Sequence, residues 1–480
     1  MVHLLQKTTP FLKKDVTKRG KVMSRVFEKV STIDAPIEEV FGWHKRDGAF
    51  HRLTPLWEST ELVEQTAGID TIGAKVTLRM KVGPLSQTWL AEHTDYQENK
   101  RFQDIQRQGP FSQWVHTHHF EARGDSTILR DEITYQLPLG PLGEAVGDRF
   151  VRNKLQRMFD YRHIMTKQDI AAHQRTPLEP MKIAITGASG LLGSALVPFL
   201  TTGGHEVLTI GRSPHSSYNA EHIQWNPSKG ELDGRLLEGV NAVIHLAGAG
   251  IADERWTEAR KQLILQSRVD STRLLCETLA ALNQPPQCLI SASGIGYYGS
   301  SNDGLKTEDS PAGNDFPADV CKAWEAATLA AEKAGIRTIH LRIGVVMTPE
   351  GGALGKMMLP FQLGAGGPVG HGKQWMSWIG IHDLTDVLLH CIATESLQGP
   401  LNAVTPQPVS QRDFARTLGK VLKRPAFLPL PGFAVKVMFG KMGETLLLGG
   451  TEVSSSKLEE SGFVFRTPTL ESTLRLLLGK

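Results

Sequence analysis

The 480-residue sequence is poor in cysteine, and this scarcity excludes two classes of protein. Its four cysteines all lie in the second half of the chain, and no two of them form a Cys-x-x-Cys pair. The sequence therefore contains neither a disulfide framework nor a zinc ribbon. We expect a reducing compartment and assign the protein to the cytoplasm.

The sequence also lacks an excess of charge of either sign and a long apolar segment. Lys and Arg total 53, and Asp and Glu total 50, so there is no basic footprint for nucleic acid. The uncharged stretch 183–204 is interrupted by glycine, serine and threonine and predicts no membrane span. Residues 1–21 are basic but lack the apolar core of a secretory signal, and we interpret them as a basic leader.

Glycine, in contrast, is abundant, with 47 residues in the chain, above the usual share of about 7%. Three of these glycines lie in the run MKIAITGASGLLG, which starts at Met181. A β-rich run precedes them and a helical run follows, which is typical of a dinucleotide-binding loop. Gly187 would permit a tight turn, Gly190 would let the backbone approach a pyrophosphate, and Gly193 would let the helix pack closely.

The residues around this loop form the predicted cofactor site. Backbone N–H groups at the start of the helix would face the phosphates, and small residues after later strands would let a flat ring pass over the strand ends. The predicted cofactor-binding residues are Gly187, Ser189, Gly190, Leu191, Leu192, Gly193, Arg212, Ser213, Leu246, Ala247, Gly248 and Ser291.

The residue that follows the second strand of this series predicts which dinucleotide is preferred. An acidic residue there would bind the ribose 2′-hydroxyl of NAD. This sequence has Gly211, Arg212 and Ser213 instead, and a guanidinium matches a 2′-phosphate. We therefore expect NADP(H) to be favoured over NAD(H), although a solvated surface arginine is the simpler interpretation of Arg212.

The order of strand-like and helical runs divides the chain into unequal parts. The first part has six strand-like runs, a short helical run and a long helix that ends near Ile170. The next part alternates β-rich and helical runs, as in a parallel sheet covered on both faces. The predicted parts are a leader (1–21), an α+β domain (22–170), a linker (171–180), an α/β domain (181–420) and a small C-terminal domain packed on it (421–480).

The first domain resembles the START-like (SRPBCC) family. The resemblance covers roughly residues 22–168 and rests on the order of short helix, six strands and long helix, with the run GPFSQWVHTHHFEARGDSTILRDEITYQLPLGPLG. In that family the sheet and the long helix enclose an apolar cavity. The resemblance therefore implies an α+β helix-grip fold and a hydrophobic small-molecule ligand.

The second domain resembles the extended short-chain dehydrogenase/reductases, in the NAD(P)-dependent epimerase/dehydratase branch. The motifs are GASGLLG, AVIHLAGAG and SASGIGYYG, in that order. The runs RWTEARKQLILQSRVDSTRLL, GKQWMSWIGIHDL and KLEESGFVFRTP narrow the resemblance to atypical "epimerase family" proteins with a small C-terminal domain. It implies an α/β Rossmann fold, with a doubly wound parallel sheet.

The catalytic residues of that family are only partly present. Ser293 in SASGIGYYG matches the serine that polarises the substrate oxygen. With Glu325 aligned on the glutamate that usually follows the family's lysine, the catalytic tyrosine and lysine fall on Pro317 and Cys321. Neither can do their proton chemistry, so Tyr298 is the candidate substitute and joins Ser293 as a predicted catalytic residue. Aromatic packing beside the strand is the simpler interpretation of Tyr298.

Two other groups of residues have a functional and a simpler interpretation. His116 and His118 fall on one face of a strand, where imidazoles can bind zinc. Only Glu121 accompanies them in the sequence, so we predict no metal site. Arg268 lies in a basic stretch that could contact a phosphate near the cleft, but a solvated helix face is the commoner case.

Three functions are compatible with these motifs. The first is an NADP(H)-dependent epimerase/dehydratase-like enzyme or oxidoreductase acting on a small hydroxyl or carbonyl substrate, such as a nucleotide-sugar-like one. The second is a non-catalytic NADPH-binding sensor or scaffold, because the tyrosine–lysine pair is missing. The third is a carrier of an apolar ligand that acts through the N-terminal domain. The sequence leaves the substrate and the oligomeric state open.

Overall fold

The computed structural model describes residues 24–82, 85–138, 140–213, 220–300 and 304–480. The predicted leader at 1–21 lies outside the described residues. Within them, no helix is both long and apolar enough to cross a membrane.

An antiparallel sheet forms the N-terminal domain. Its strands in the described part are β1 (Arg25–Ile33), β2 (Thr60–Gln65), β3 (Lys75–Val82), β4 (Leu85–Gln97), β5 (Arg101–Gln108), β6 (Gln113–Arg123) and β7 (Ser126–Gln136). Their order across the sheet is β1-β7-β6-β5-β4-β3-β2. Strand β2 was not predicted from the sequence, because the side chains of β2 are mostly exposed and its register with β3 shifts between Leu62 and Glu64.

Three helices accompany this sheet in the described part, namely α1 (Ile37–Lys45), α2 (Ala49–Leu53) and α3 (Gly140–Arg175). Leu155 and Phe159 of α3 are buried in one cluster with Phe27 and Ile133 of the sheet, so α3 packs across its inner face. The predicted helix-grip arrangement is therefore confirmed. The helix continues beyond Ile170 to Arg175, so the first half of the predicted linker is helical. Tertiary packing explains this extension, because Ala172 joins the core of the next domain.

A second, mostly parallel sheet forms the α/β domain. Its strands in the described part are β8 (Lys182–Thr186), β9 (Glu206–Gly211), β10 (Glu221–Asn226), β11 (Glu231–Leu232), β12 (Ala242–His245), β13 (Cys288–Gly294), β14 (Arg337–Ile343) and β18 (Gly399–Ala403). Three short strands lie between β14 and β18 in the chain and are not part of this sheet. They are β15 (Val345–Met347), β16 (Trp375–Met376) and β17 (Trp378–Gly380). A further short strand, β19 (Val409–Ser410), pairs with β16.

The strand order of this sheet is β11-β10-β9-β8-β12-β13-β14-β18, and only the β10–β11 pair is antiparallel. The chain therefore runs outward from β8 in one direction and from β12 in the other. The reversal point lies between these two strands, and ligands of doubly wound sheets bind at the carboxyl ends of the strands there.

Helices cover both faces of the sheet, which gives the predicted doubly wound Rossmann architecture. In the described residues they are α4 (Leu191–Thr202), α5 (Glu258–Ala280), α6 (Phe316–Ala326), α7 (Leu329–Lys333), α8 (Gly352–Gln362), α9 (Ile381–Ala393) and α10 (Gln411–Leu422). Apolar residues of α4 and α9 pack in one core cluster with the sheet, and those of α5 pack on the opposite face. The strands are accordingly apolar on both sides.

The C-terminal segment adds α11 (Gly432–Leu446), α12 (Ser456–Glu460) and α13 (Leu470–Leu478). Leu474 and Leu477 of α13 are buried against Phe414 and Leu418 of α10. The segment thus packs on the α/β domain, as its small size requires.

Three parts of the chain meet at a buried ion network around Asp169 on α3. Its two carboxylate oxygens accept hydrogen bonds of 2.7 Å from Arg52 on α2. Arg466, which follows α12, donates to the same carboxylate at 2.7 Å and to Asp386 on α9 at 2.6 Å. The network therefore joins the N-terminal domain, the α/β domain and the C-terminal segment.

Candidate cofactor and active site

The carboxyl ends of β8 and β12 are tied together by Thr186. Its Oγ1 accepts the backbone N–H groups of Leu246 at 3.0 Å and Ala247 at 3.2 Å, and its hydroxyl lies 2.7 Å from Nδ1 of His245. Burial lowers the pKa of His245 to about 3, so the ring is neutral and Nδ1 accepts. Nε2 then donates to Thr272 on α5 at 2.9 Å. This chain of bonds holds the predicted residues Leu246 and Ala247 beside the glycine loop.

The glycines of the loop are required by close backbone contacts. Gly187 has a φ of +70°, and a Cβ there would lie 2.9 Å from the carbonyl carbon of Leu246. A Cβ on Gly193 would lie 2.4 Å from the Gly187 oxygen and 2.5 Å from the Cα of Ala188. Both neighbours are backbone, so neither can move aside cheaply. The roles that the sequence analysis gave to Gly187 and Gly193 match this geometry.

The first turn of α4 provides a place for phosphate groups. Gly190 is the N-cap residue, and among the described residues no side chain caps this end of the helix. Ser189 and Gly190 are exposed, while Leu191 and Leu192 are half-buried. Uncapped backbone N–H groups and the positive end of the helix dipole suit an anion. The residues present therefore fit a dinucleotide pyrophosphate.

Arg212 and Ser213 follow β9 and are exposed. Arg212 lines a cavity of about 500 Å³ with Trp225, Asn226, Lys229 and other residues of β10 and β11. Its guanidinium has no ion-pair partner among the described residues. Ser213 precedes the segment 214–219, which lies outside them.

Ser293 lies at the carboxyl end of β13 and contacts an ion pair. Its hydroxyl donates to Oε1 of Glu325 on α6 at 2.7 Å. The guanidinium of Arg342 on β14 donates to both oxygens of that carboxylate at 2.9 Å. The pair is nearly buried, with 3% of the Arg342 and 11% of the Glu325 side chain exposed. Ser293 is thereby placed next to fixed charges at the predicted ligand edge of the sheet.

Tyr298 belongs to the same network. Its hydroxyl accepts from Nη1 of Arg342 at 3.1 Å and donates to Oδ1 of Asn402 at 2.6 Å. Burial raises the pKa of Tyr298 above its ordinary value. The guanidinium of Arg342 also lies over the ring of Tyr297, 3.5 Å from its centroid. Three contacts, through Arg342 and Glu325, therefore separate Tyr298 from Ser293, and the hydroxyl proton of Tyr298 is donated to Asn402.

Pro317 and Cys321 face the end of β13, where the family's tyrosine and lysine would lie. The Sγ of Cys321 is 3.6 Å from the carbonyl oxygen of Gly294, and a Cβ on Gly296 would lie 3.0 Å from Pro317. Lys322 is exposed and pairs with Asp319 at 2.8 Å. The amine of Lys322 therefore does not take the place of the lysine that the family resemblance predicts at Cys321.

Arg268 on α5 is buried against the end of β12, so the interpretation as a solvated face is wrong for this residue. Its Nη1 donates to the carbonyl oxygen of Ala249 at 2.8 Å, and its guanidinium lies 4.8 Å from the centroid of a Trp324 ring. A Cβ on Gly248 would lie 3.2 Å from the Arg268 side chain. Burial lowers the pKa of Arg268 to about 10, which leaves it charged at neutral pH.

Two buried polar atoms near this edge lack hydrogen-bond partners among the described residues. They are Oγ of Ser291, one of the predicted cofactor residues, and Nε1 of Trp324. Buried polar groups are normally paired. The structure thus leaves the hydroxyl of Ser291 and the indole N–H of Trp324 unsatisfied at this end of the sheet.

Glu325, Arg342 and Asn402 are the members of this network that sequence reasoning did not assign to the site. Glu325 served only to align the missing tyrosine and lysine. The one available signal for Arg342 is its place between the apolar residues Leu341 and Ile343 at the end of the strand RTIHLRI, since a buried arginine requires a partner.

Three family models match this chain. They are "NAD dependent epimerase/dehydratase family" over residues 183–402, "Polyketide cyclase / dehydrase and lipid transport" over 33–159 and "Domain of unknown function (DUF1731)" over 430–477. The epimerase family protein Mb2239 of Mycobacterium bovis is 40% identical over 292 residues, which cover 61% of this chain and 96% of the relative. The chain belongs to the NAD-dependent epimerase/dehydratase family.

Two solved structures of epimerase-type proteins resemble this one. A nucleoside-diphosphate sugar epimerase from Corynebacterium glutamicum is 31% identical, covers 94% of this chain and 90% of its own, and superposes with a TM-score of 0.77. Human epimerase family protein SDR39U1, solved with NADPH, is 34% identical, covers 62% of this chain and 99% of its own, and has a TM-score of 0.57.

These comparisons confirm the predicted family, the Rossmann fold and the SRPBCC-like N-terminal domain. A nicotinamide cofactor follows from the family, which is described as NAD dependent. The choice of NADP(H), the roles of the individual site residues and the boundaries of the domains stay predictions.

Proposed function

We propose that the protein is an NADP(H)-dependent epimerase/dehydratase-like enzyme or oxidoreductase that acts on a small hydroxyl or carbonyl substrate. The observation that carries the proposal is the loop between β8 and α4, where Gly187 and Gly193 allow backbone contacts that a Cβ would block. A bound nicotinamide would accept or supply the hydride. The twelve residues predicted from the sequence, from Gly187 to Ser291, would hold the dinucleotide.

The preference for NADP(H) rests on Arg212 and Lys229, which line the same cavity beside β10. Two cations there would attract a 2′-phosphate, and a guanidinium can bind it in a bidentate manner. Glu231 lines this cavity as well, so the phosphate would lie on the side of Arg212, away from the carboxylate.

Binding calorimetry with NADPH and NADH tests this part of the proposal. We expect the wild type to bind NADPH at least about tenfold more tightly, and Arg212→Ala to lose about tenfold for NADPH alone, as a charge-assisted contact implies. Arg235→Ala is the matched control, because Arg235 is an exposed arginine of the same domain paired with Asp233. Equal wild-type affinity for the two dinucleotides would contradict the preference, and no binding of either would contradict the proposed function.

Within the site, Ser293 would bind the reacting substrate oxygen. Its hydroxyl now donates to Glu325, and a rotation about χ1 would turn the same proton toward a substrate. The ion pair with Arg342 keeps Glu325 in place as the alternative acceptor. Tyr298 is the proposed proton donor, which would require its hydroxyl to leave Asn402.

An assay of NADPH consumption tests the proposed roles of Ser293 and Tyr298. NADPH fluorescence is recorded while a panel of carbonyl compounds is offered as substrates. Ser293→Ala should lower kcat at least about 100-fold, the contribution typical of one positioned polar group, with unchanged NADPH affinity. Tyr298→Phe should lower kcat in the same way while leaving the fold intact. Normal turnover by either variant would remove that residue from the mechanism.

A second candidate function is NADPH binding without turnover, in a sensor or scaffold. Pro317 and Cys321 favour it, because they occupy the positions of the family's tyrosine and lysine and cannot replace them. Tight NADPH binding together with no consumption of NADPH by any carbonyl or hydroxyl substrate is the outcome that would support it.

A hydrophobic ligand of the N-terminal domain is a separate part of the proposal. It is supported by the match of residues 33–159 to the family of polyketide cyclases and lipid transport proteins. Native mass spectrometry of the intact protein tests it, since a copurified apolar molecule would add its mass to the chain. A single peak at the mass of the bare chain would count against a carrier role.

A further inference from the structure

The inner face of the N-terminal sheet carries a buried cluster of histidine and aspartate side chains. His116 and His118 lie on β6, and their cross-strand partners are Asp104 on β5 and Asp131 on β7. Directly opposite residues of neighbouring strands share one face of the sheet. The sequence places only the two histidines near each other, because the aspartates come from strands that pair with β6 in the fold.

The atoms of three of these side chains have the spacing of metal ligands. One ligand atom each from Asp104, His116 and His118 lies within 4.8 Å of the other two. Oδ2 of Asp104 is 3.3 Å from Nδ1 of His116. Metal–ligand bonds of about 2.0–2.1 Å in a tetrahedral site give a ligand spacing of about 3.3 Å. These two atoms therefore already have that spacing, and a ligand atom of His118 lies within 4.8 Å of both residues.

Asp131 orients the histidines from the other side. Its Oδ1 is 2.9 Å from Nε2 of His116 and its Oδ2 is 2.6 Å from Nε2 of His163 on α3. Burial would raise the pKa of Asp131, but the surrounding histidines hold it well below the usual value, so the carboxylate only accepts. With Nε2–H of His116 donating to Asp131, Nδ1 of the neutral ring presents its lone pair toward Asp104. A carboxylate behind a ligating histidine is the usual way in which metal sites fix the ring.

Three ring nitrogens in the cluster, Nδ1 of His93, His118 and His163, are buried without a hydrogen-bond partner among the described residues. Nδ1 of His118 is 2.6 Å from Oδ1 of Asp131 but is poorly aligned for a hydrogen bond. Nδ1 of His93 on β4 has no partner either, and the residue is 8% exposed. Unpaired polar atoms in a protein interior cost free energy and point to a missing ligand.

We propose that Asp104, His116 and His118 bind a divalent transition-metal ion, with Asp131 and His163 orienting the ligands. Two imidazoles and one carboxylate suit Zn²⁺ or Fe²⁺, and they suit Mg²⁺ and Ca²⁺ poorly because those ions prefer oxygen. The site lies in the N-terminal domain, away from the phosphate loop, and does not depend on the proposed function.

The charges of the cluster explain why a cation fits. The carboxylates of Asp104 and Asp131 flank the ring of His116, at 3.3 Å from Nδ1 and 2.9 Å from Nε2. Two carboxylates around one ring make this position suitable for a positive charge. Because histidine binds a metal only in its unprotonated form, protons compete with the ion and affinity rises with pH.

The other titratable groups that face the cluster come from four elements. They are His44 on α1, His93 on β4, Asp131 on β7, and Arg162 and His163 on α3. Burial lowers the pKa of His44 to about 4, so this ring adds no charge at neutral pH. Arg162 stays cationic and partly balances the carboxylates.

Metal analysis of the purified full-length protein by plasma mass spectrometry is the first test. We expect about one Zn²⁺ or Fe²⁺ per chain. Because the site is buried, the metal-free protein is prepared by unfolding in urea with a chelator and refolding, and it is then titrated with Zn²⁺ in a calorimeter.

Substitutions separate this site from adventitious binding by the other histidines of the chain. Asp104→Asn and His118→Ala should each weaken Zn²⁺ binding at least about 100-fold, and Asp131→Asn should weaken it about 10- to 100-fold. His119→Ala is the matched control, because His119 is the next residue on β6 and pairs with Arg130 outside the cluster. It should bind Zn²⁺ as the wild type does.

Three outcomes would overturn the proposal. They are an absence of metal combined with no Zn²⁺ binding by the refolded wild type, an unchanged affinity in folded Asp104→Asn, and an equal loss of affinity in His119→Ala. If the His118→Ala protein does not fold, the Zn²⁺ affinity of Asp104→Asn is the deciding measurement, because asparagine keeps the shape of the aspartate side chain. Its circular dichroism should match that of the wild type.

Discussion

The hydroxyl of Ser293 on β13 donates a hydrogen bond of 2.7 Å to Glu325 on α6, a residue 32 positions later in the chain. The same carboxylate is held by both arms of the Arg342 guanidinium. A neutral hydroxyl at the edge of the sheet is thus fixed by a nearly buried ion pair.

The ion pair leads to a prediction about stability. Glu325→Gln would leave the buried Arg342 without its counter-charge, and breaking a buried pair by removing one partner costs about 3 kcal/mol of the free energy of unfolding. Urea unfolding followed by circular dichroism measures this. Glu61→Gln serves as control, since its pair with Arg79 is exposed, and its unfolding midpoint should not move. A Glu325→Gln protein as stable as the wild type would show that Arg342 does not need the charge.

The network around Asp169 predicts that the domains are coupled in unfolding. Asp169→Asn would leave Arg52 and Arg466 facing each other inside the protein, at a cost of about 3–5 kcal/mol. We expect a lower urea midpoint and a separate, earlier transition of the N-terminal sheet. Asp160→Asn is on the same helix, but its pair with Lys29 is partly exposed, and it should unfold like the wild type. A single unshifted transition in Asp169→Asn would refute the coupling.

Buried neutral histidines predict a loss of stability in mild acid. Burial lowers the pKa of His173 and His245 to about 3. The unfolded chain takes up protons at these residues below pH 6.5, while the folded protein does not. The stabilisation is therefore complete above pH 6.5 and is lost as the pH falls toward 3, by about 2 kcal/mol per residue between pH 7 and 5.

In the metal-free protein, the stability that His116 contributes depends on pH in the opposite direction. Its pKa of about 9 lies above the unfolded value, so its stabilisation is complete below pH 6.5 and is lost as the pH rises through 9. The melting temperature should thus be highest between about pH 6.5 and 8. His245→Gln should flatten the acid side of a melting profile measured from pH 4.5 to 9.5, relative to the exposed control His371→Gln. A wild-type melting temperature that does not change with pH would contradict both the predicted loss of stability in acid and the predicted loss in base.

The geometry of the phosphate loop predicts that a single added methyl group, in Gly193→Ala, weakens NADPH binding. Gly193→Ala would place a Cβ 2.4 Å from the Gly187 oxygen, so the turn must open and the phosphate-binding N–H groups move. We expect at least about tenfold weaker NADPH binding by calorimetry, because such hydrogen bonds to a charged group contribute about 1.5–3 kcal/mol. Gly42→Ala on α1 meets only a side-chain atom at 3.9 Å and should bind normally. Wild-type affinity in Gly193→Ala would rule out this loop as the phosphate site.

Much of the α/β domain is readable from the order of residues. The spacing of Gly187, Gly190 and Gly193 between a β-rich and a helical run specifies a backbone conformation over a few neighbouring residues. The periods of apolar residues likewise predict strands and helices, because burial repeats locally along each element. The family resemblance placed Ser293 and identified Pro317 and Cys321 as departures. Strand β2 was not predicted, because an exposed strand with a shifted register has no regular alternation of apolar and polar residues.

The partners of these residues were decided only by the folded chain. Glu325 reaches Ser293, and Arg342 reaches Glu325, because β13 and β14 pair in the sheet and α6 packs against β13. Asp104 and Asp131 meet the histidines of β6 through strand pairing, and Asp169 meets Arg466 through the packing of separate domains. Such contacts depend on strand order, register and docking. These arise from the cooperative burial of the whole chain, and no short stretch of residues contains them.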